Sequence, residues 1–256
     1  MLRVTVERLS EEPYASILCY PRACKAEVRK RLVELGRLGV TAVEFCGDKD
    51  VFGVSVLGKG CVGIVTIAYV NGEKVALKIR RVDADREGML REAEMLEKAN
   101  SVDVGPKLWG VSANFLVMQF VDGELFPEWL KKCKSKRRVK RVLREILEQC
   151  WRLDVAGLDH GELSHAPKHV IVGEDGKPFI VDFETASVRR RPSNVTAVCQ
   201  FLFVSGEVAG LVVKKLGVRD KGAIVDALRC YKRDRAHENF EKVLEACGLL
   251  HNIIRF

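Results

Sequence analysis

The chain has 256 residues, of which 47% are hydrophobic and 30% charged, and its formal net charge at pH 7 is +8. This length and composition support a sizeable core in one domain or two lobes. No apolar run reaches membrane-spanning length, the first residues resemble a strand rather than a signal peptide, and the nine cysteines include no C-x-x-C pair. We therefore expect a cytoplasmic protein with no membrane partner and no zinc or redox site. The positive charge permits an anionic partner without requiring one.

Residues 1–50 form a predicted N-terminal extension. Apolar residues recur at helical spacing over 23–39, which predicts a helix with a basic outer face, and 40–45 predicts a strand. This helix and strand either brace the segment that follows or form a small appended module. We favour the brace, because nothing there suggests a site. The predicted apolar stripe of the helix consists of Val28, Leu32, Val33, Leu35 and Leu38.

A glycine-rich turn follows the extension. Gly58, Gly60 and Gly63 have G-x-G-x-x-G spacing between valine-rich stretches, which predicts a strand, a tight turn and a second strand. Glycines allow backbone N–H groups to approach phosphate oxygens closely, and they adopt dihedral angles that a Cβ atom disfavours. The turn is therefore a candidate phosphate-binding site.

A lysine lies on the strand after this turn. The Asn71-Gly72 pair predicts a hairpin, and the strand predicted over 74–79 places Lys78 among aliphatic residues. A lysine on the adjoining strand can supply positive charge to the α- and β-phosphates of a nucleotide. In a dinucleotide-binding turn the glycines lead into a helix, whereas here they lead into a strand, which argues against that alternative.

A helix and a buried strand come next. The helix is predicted over 85–99 and carries Glu92 and Glu94. A near-continuous apolar strand is predicted over 114–121. The side chains expected to face inward from the helix are Met89, Leu90, Ala93, Leu96 and Ala99.

The densest basic run begins at Lys131 and finishes at Arg144, and it contains no acidic residue. It leads into a predicted helix. We weigh two interpretations equally: a solvated helix face, or a surface for RNA or another polyanion. No aromatic residues are interleaved with these charges, which argues against base stacking. The inward face of the helix is predicted to contain Val139, Val142, Leu143, Ile146, Leu147, Cys150 and Leu153.

A second group of chemical side chains lies over 158–182. A loop carries His160 and Glu162, and an apolar strand over 179–181 is followed by Asp182. An aspartate at the end of an apolar strand is well placed to hold Mg²⁺ against phosphates. Helices are then predicted over 194–206, 207–217, 221–233 and 236–247.

The glycine turn with its Val-Ala-Leu-Lys strand, followed by the His-Gly-Glu and Asp-Phe-Glu segments, resembles the protein-kinase-like superfamily from about residue 51 onward. The similarity is nearest its compact atypical branches, which include the RIO kinases, the small archaeal kinase of the tRNA-modifying complex, and the lipopolysaccharide, aminoglycoside and choline kinases. An archaeal-type Ser/Thr kinase is the nearest description. The resemblance implies an α+β, two-lobed fold, with the extension over 1–50, a β-rich N-lobe over 51–121 and a helical C-lobe over 122–256.

The resemblance also implies a nucleotide site with ATP and Mg²⁺ as cofactors. Glu92 would orient Lys78, with Glu94 as the alternative. Met118 would limit the depth of the adenine pocket, and residues 119–121 would offer backbone hydrogen bonds to the base. The residues implied to contact the nucleotide are Gly58, Lys59, Gly60, Gly63, Val65, Ala76, Lys78, Glu92, Met118, Gln119 and Val121.

The implied catalytic residues are Lys78, Glu162 and Asp182. Glu162 occupies the position of the family's catalytic aspartate, where it would orient or deprotonate the acceptor hydroxyl with a side chain one methylene longer. Asp182 would bind the metal ion. Lys168 or Ser164 would contact the γ-phosphate.

Besides Glu162, three features depart from the family pattern. His169 takes the place of the second metal-binding asparagine, and imidazole is a poor match for a hard cation. His169 is therefore either a second metal ligand or a residue that only hydrogen-bonds the loop, which would leave Asp182 as the sole firm metal ligand. Glu184 replaces the glycine of Asp-Phe-Gly, and neither an Ala-Pro-Glu motif nor a long activation segment is present, which makes a conventional peptide groove doubtful.

We therefore predict an ATP-dependent phosphotransferase, an atypical serine/threonine protein kinase that transfers the γ-phosphate to a hydroxyl. Two alternatives stay open. The departures at Glu162, His169 and Glu184 fit a nucleotide-binding pseudokinase or scaffold. The basic run and the absent Ala-Pro-Glu motif fit a kinase of a small molecule or of RNA.

Overall fold

The computed structural model describes residues 2–85 and 87–250. Arg86, within the helix predicted over 85–99, and the last six residues of the predicted C-lobe lie outside the described residues. The chain forms two compact units: Met1–Glu97 with Pro106–Val121, and Lys98–Gly105 with Asp122–Phe256. The first is rich in strands and the second in helices, so the predicted α+β class is confirmed. The boundary between residues 50 and 51 stays a prediction.

The first unit is built on a seven-stranded antiparallel sheet in the order β1-β2-β6-β7-β9-β8, with β5 paired to β6. A separate hairpin joins β3 to β4. The strands are β1 (Leu2–Thr5), β2 (Val40–Phe45), β3 (Lys49–Val51), β4 (Val54–Val56), β5 (Gly58–Lys59), β6 (Gly63–Val70), β7 (Glu73–Arg80), β8 (Leu108–Val111) and β9 (Phe115–Gln119). The helices are α1 (Tyr14–Leu18), α2 (Lys25–Arg37) and α3 (Gly88–Asn100), with a 3₁₀ turn over Val6–Ser10.

The predicted hairpin between β6 and β7 is confirmed. Asn71 and Gly72 have φ angles of 51° and 84°. Two consecutive left-handed residues are typical of the tight turn whose twist matches that of paired strands. This turn fixes the register of the hairpin, so that Val65 of β6 lies opposite Lys78 of β7.

The N-terminal extension shares the sheet and core of this unit. β2 pairs with β6, with Val43 opposite Ala68. Leu35 of α2 is fully buried in the same apolar cluster as Val75 and Leu77 of β7. Burial of this apolar surface supplies the main force that holds α2 against the sheet.

The sequence pattern was wrong about individual faces of two helices. Val33 of α2 is 54% exposed and Leu90 of α3 is 49% exposed, whereas Arg31, which is not part of the predicted apolar stripe of α2, is fully buried. In α3 the buried stripe follows the i, i+3, i+4, i+7 spacing of one helix face, and Leu90 falls outside it. The buried residues of that stripe are Met89, Glu92, Ala93 and Leu96.

The second unit is mainly helical. Its strands form a three-stranded antiparallel sheet in the order β10-β11-β12. The strands are β10 (Gly123–Leu125), β11 (Val170–Gly173) and β12 (Pro178–Ile180). The helices are α4 (Phe126–Lys132), α5 (Lys136–Val155), α6 (Asn194–Cys199), α7 (Glu207–Leu216), α8 (Lys221–Arg233) and α9 (His237–Ala246), with a 3₁₀ turn over Leu163–His165 and a π turn over Gln200–Val204.

α5 is the central helix of this unit. All seven residues predicted for its inward face, from Val139 to Leu153, are fully buried. Ser135 caps its N-terminus, since the hydroxyl accepts a hydrogen bond of 3.3 Å from the N–H of Arg138. The helical period in the sequence therefore predicted both the element and its buried face.

The segment over 194–216 is helical with one break. α6 passes into the π turn, and Gly206, with φ of 93°, separates that turn from α7. Across residues 2–85 and 87–250, no single helix is both long and apolar enough to cross a membrane. Only the bent pair Asn194–Val204 and Glu207–Leu216, with 68° between its halves, reaches that length and composition when its halves are taken together.

Candidate functional site

The glycine turn connects β5 to β6. The N–H of Gly60 donates to the carbonyl of Gly63 over 2.8 Å, which closes the turn. None of the three motif glycines has a left-handed φ, so the expectation that they need unusual dihedral angles is wrong. Gly63 is required for a different reason: a Cβ atom there would lie 2.8 Å from the carbonyl oxygen of Ile79. The close approach of β6 to β7 leaves no room for a side chain at this position.

Lys78 and Glu92 form a buried ion pair in the first unit. Lys78 Nζ lies 2.7 Å and 2.9 Å from the two carboxylate oxygens of Glu92. Lys78 is 6% exposed and Glu92 is 2% exposed. Of the two glutamates considered from the sequence, Glu92 makes this contact because it belongs to the buried stripe of α3, whereas Glu94 is exposed. The pair fixes the position of the ammonium group on β7.

The residues predicted to surround the adenine lie on neighbouring strands. Ala76 of β7 is opposite Met118 of β9, and both are half-buried. Met118 packs against the small apolar cluster that includes Met89 of α3. The N–H of Gln119 donates to the carbonyl of Lys107 over 2.8 Å, so this backbone donor is already used. Val121 follows β9 and is half-buried, whereas Lys59 in β5 is exposed.

In the second unit, the loop that carries Glu162 is held at several points. Asp159 and Ser187 exchange two backbone hydrogen bonds, of 2.9 Å and 2.8 Å. The N–H of His160 donates to the side-chain oxygen of Asn194, and the hydroxyl of Thr185 donates to the carbonyl of His160. The loop is thus fixed both to the segment after Asp182 and to the start of α6.

His160 is a buried structural residue. Its Nε2 atom lies 3.1 Å from the carbonyl oxygen of Val181, the residue before Asp182. Its ring lies 5.1 Å from the ring of Phe183 and 5.4 Å from that of His169, between centroids. Burial lowers the pKa of the His160 imidazole to about 4. The ring is therefore neutral at pH 7, and Nε2–H donates to Val181.

This depressed pKa predicts a loss of stability in acid. Below pH 6.5 the unfolded chain binds a proton at His160 that the folded chain excludes until about pH 4. The free energy of unfolding should therefore fall between pH 6.5 and 4, by on the order of 3 kcal/mol from this residue. Urea unfolding at several pH values measures it, and His160→Gln, which keeps a donor but does not titrate, should flatten the profile. An unchanged pH profile in that variant would contradict the assignment.

Glu162, His169 and Asp182 lie together at the end of this loop. Glu162 Oε2 is 2.9 Å from His169 Nε2, and Asp182 Oδ2 is 3.9 Å from His169 Nδ1. His169 is only 8% exposed, and its Nδ1 atom is buried with no hydrogen-bond partner among the residues that the structure describes. Asp182 has φ of 69°, an uncommon value outside glycine that is often found at functional sites. The structure therefore brings the predicted base and both predicted metal ligands together.

Two neighbouring positions of the loop that carries Glu162 are more exposed to solvent than His169. Lys168 and Ser164, the predicted alternatives for contact with the γ-phosphate, are both exposed. Their exposure leaves both side chains accessible to a phosphate group.

The buried carboxylate of Asp154 accepts several hydrogen bonds. This residue was not identified from the sequence. Its carboxylate accepts from the backbone N–H groups of Asn194 and Val195, from the Asn194 amide and from the Tyr231 hydroxyl. Burial raises the pKa of this carboxyl above its ordinary value, and the hydrogen bonds act in the opposite direction. Asn194 in turn donates to the carbonyl of Leu158, so Asp154 supports the Glu162 loop indirectly. No local motif marks these positions.

Replacing Asp154 should destabilise the fold strongly. Asp154→Asn puts an NH₂ group where an oxygen now accepts, so at least one buried donor loses its acceptor. We expect the free energy of unfolding to fall by about 2–3 kcal/mol, measured by urea unfolding. Tyr231→Phe removes one donor only and should have a smaller effect, of about 1 kcal/mol. Equal stability of Asp154→Asn and wild type would contradict this role.

The basic run surrounds the start of α5. No acidic residue lies in the first turn of this helix, where the backbone dipole is positive and cations are disfavoured. Within the described parts of the chain, six exposed basic side chains here make no ion pair. The six are Lys134, Lys136, Arg137, Arg138, Lys140 and Arg141.

Comparison with known proteins identifies a family and two relatives. The family model of the RIO domain matches residues 68–197. The chain is 29% identical to the uncharacterized protein MJ1211 of Methanocaldococcus jannaschii over 101 residues, which cover 40% of this chain and 84% of that protein. It is 31% identical to the KEOPS complex subunit Bud32 of Pyrococcus abyssi over 116 residues, which cover 44% of this chain and 49% of that protein. The match therefore spans about half the length of Bud32.

Proposed function

The chain belongs to the RIO-domain family, part of the protein-kinase-like superfamily, and from this premise we propose that it is an ATP-dependent phosphotransferase. It transfers the γ-phosphoryl group to a hydroxyl, with serine or threonine of a protein as the acceptor. The observation that carries the proposal is the buried contact of Lys78 with Glu92 beside the glycine turn. A buried lysine held by a carboxylate on a helix is the arrangement that protein kinases use for nucleotide phosphates.

Residues of the first unit bind and orient the nucleotide in this proposal. Backbone N–H groups of the glycine turn contact the phosphates, and Lys78 adds a positive charge whose place is fixed by Glu92. Ala76 and Met118 pack against the base. Because these groups are positioned before the nucleotide arrives, little ordering is needed at the moment of reaction.

Residues of the second unit act on the metal ion and the acceptor. Asp182 offers the oxygen ligand that Mg²⁺ prefers. The Nδ1 atom of His169 faces Asp182, has no hydrogen-bond partner among the described residues, and is the second candidate metal ligand. Bound Mg²⁺ supplies neutralisation of charge on the phosphate oxygens. Glu162 accepts the proton of the attacking hydroxyl, or orients it, and His169 holds the Glu162 carboxylate over 2.9 Å.

Phosphate transfer and nucleotide binding test this proposal together. We expect Mg²⁺ and ATP to raise the thermal midpoint of the protein, and γ-³²P-labelled ATP to label the protein or an added substrate. Lys78→Ala and Asp182→Ala should each lower transfer by a factor on the order of 10²–10³. Equal transfer by these variants and wild type would exclude the proposal. Stabilisation without any transfer would favour a nucleotide-binding subunit of a complex; the related Bud32 is, by its name, a subunit of the KEOPS complex.

The start of α5 supports a second candidate function, a kinase that binds RNA. Six exposed cations without ion pairs in the described chain repel one another, and a phosphate backbone would relieve that repulsion. Reversing the charges of Lys136, Arg137 and Arg138 should weaken RNA binding and reduce the slope of log K against log salt by about 2. The same reversal at Lys214, Lys232 and Arg233 is the control. Equal salt slopes in both triple variants would exclude this surface.

A further inference from the structure

Each ring nitrogen of His169 faces a carboxylate. This distinguishes His169 from the other histidines of the second unit whose side chains the structure describes. Nε2 is 2.9 Å from Glu162 Oε2, a normal hydrogen-bond distance. Nδ1 is 3.9 Å from Asp182 Oδ2, which is too long for a hydrogen bond. The residue is 8% exposed and its Nδ1 atom is buried, so water has little access to this nitrogen.

The contact with Glu162 determines the tautomer. An ionised carboxylate only accepts hydrogen bonds, so Nε2 must carry the proton that it donates. In this tautomer the lone pair of Nδ1 points towards Asp182. Two electron-rich atoms then face each other. Nδ1 is buried and has no partner among the described residues, whereas the side chain of Asp182 is 44% exposed.

This is the arrangement of a metal-binding histidine. Such a residue donates its second N–H to a carboxylate, which fixes the ring and increases the basicity of the ligating nitrogen. Metal–ligand distances of about 2.0–2.2 Å allow two donor atoms up to about 4 Å apart to share one ion. His169 Nδ1 and Asp182 Oδ2, at 3.9 Å, are within this limit.

We propose that His169 and Asp182 form a mixed nitrogen–oxygen site that selects a first-row transition-metal cation such as Mn²⁺ over Mg²⁺, with Glu162 holding the imidazole. The inference rests on the proposed function, because the bound cation is the one that accompanies the nucleotide. Mg²⁺ strongly prefers oxygen ligands, whereas affinity for a site with an imidazole nitrogen increases along the transition-metal series from Mn²⁺ onward. The histidine therefore changes the preferred cation without removing the site.

The nitrogen ligand can be observed directly. The full chain is labelled with ¹⁵N-histidine, and Mn²⁺ is added with and without ADP. Pulsed electron paramagnetic resonance should detect coupling between Mn²⁺ and one ¹⁵N nucleus, and the coupling should disappear in His169→Asn. Persistence of the coupling in that variant, or its absence from wild type both with and without ADP, would overturn the inference.

The selectivity is measured by competition between the two cations. The affinity ratio of Mn²⁺ to Mg²⁺ should fall at least about 10-fold in His169→Asn, because asparagine offers an oxygen in place of the nitrogen. His237→Asn makes the same chemical change at a histidine that packs against Trp151 and Phe240, and it should leave the ratio unchanged. Glu162→Gln should lower the ratio by a smaller factor, because a neutral amide oxygen still accepts from Nε2 but holds the ring less strongly. Equal ratios in wild type and His169→Asn would contradict the proposal.

The outcome separates the inference from the proposed function. The thermal shift with Mg²⁺ and ATP reports nucleotide binding, whatever the preferred cation. A shift with no ¹⁵N coupling would overturn the nitrogen ligand and leave the phosphotransferase intact. Coupling with no nucleotide-dependent shift would support the metal site and count against the phosphotransferase. If His169→Asn fails to fold, the presence or absence of the Mn²⁺–¹⁵N coupling in labelled wild type decides whether a histidine nitrogen binds the metal ion.

Discussion

Replacing Arg31 by leucine should lower the free energy of unfolding by about 3–5 kcal/mol, the cost typical of breaking a buried charge network. The guanidinium group is fully buried and makes four hydrogen bonds. Its nitrogen atoms donate to Glu27 Oε1, to the carbonyls of Leu18 and Arg80, and to Asn114 Oδ1 at distances of 2.6–2.9 Å. Leucine leaves all of these acceptors without this donor.

Urea unfolding measures this effect. Arg29→Leu is the matched control, because Arg29 is an exposed arginine on the same helix, and its stability should change by less than about 0.5 kcal/mol. A loss below about 1 kcal/mol in Arg31→Leu would mean that the network contributes little. We also expect Arg31→Lys to be destabilising, since an ammonium group cannot reproduce the fork of donors that arginine provides.

Separating the Lys78–Glu92 pair should affect stability and activity differently. Glu92→Ala removes the carboxylate from two charge-assisted contacts at a buried position, and we expect a loss of about 3 kcal/mol in the free energy of unfolding. The double variant Lys78→Met/Glu92→Leu replaces both charges by apolar groups of similar size. It should be more stable than Glu92→Ala, because no buried charge has to be desolvated.

Phosphate transfer gives the second measurement on these variants. Both should transfer phosphate at least 10²-fold more slowly than wild type, because neither presents an oriented ammonium group to the nucleotide. A stable but inactive double variant would assign the pair to catalysis. Normal transfer by the double variant would exclude the proposed role of Lys78.

Much of the secondary structure in both units could be predicted because its signals are local. Asn71-Gly72 predicts a hairpin by its turn chemistry, and that turn alone sets Val65 opposite Lys78. Helical periodicity identified α5 together with its buried face. The positions of Lys78 and Asp182 followed from a family resemblance. Their roles, and that of Glu162, stay predictions.

The tertiary structure alone determined which polar groups are buried and what they contact. Arg31 is fully buried, and its partners Leu18, Arg80 and Asn114 lie 13, 49 and 83 residues away in the chain. The sequence did not show that His169 lies between the carboxylates of Glu162 and Asp182. Apolar periodicity follows from local backbone geometry, so a sequence reveals it. A buried polar side chain is stable only where distant segments supply its partners, and those partners exist only once the chain has folded.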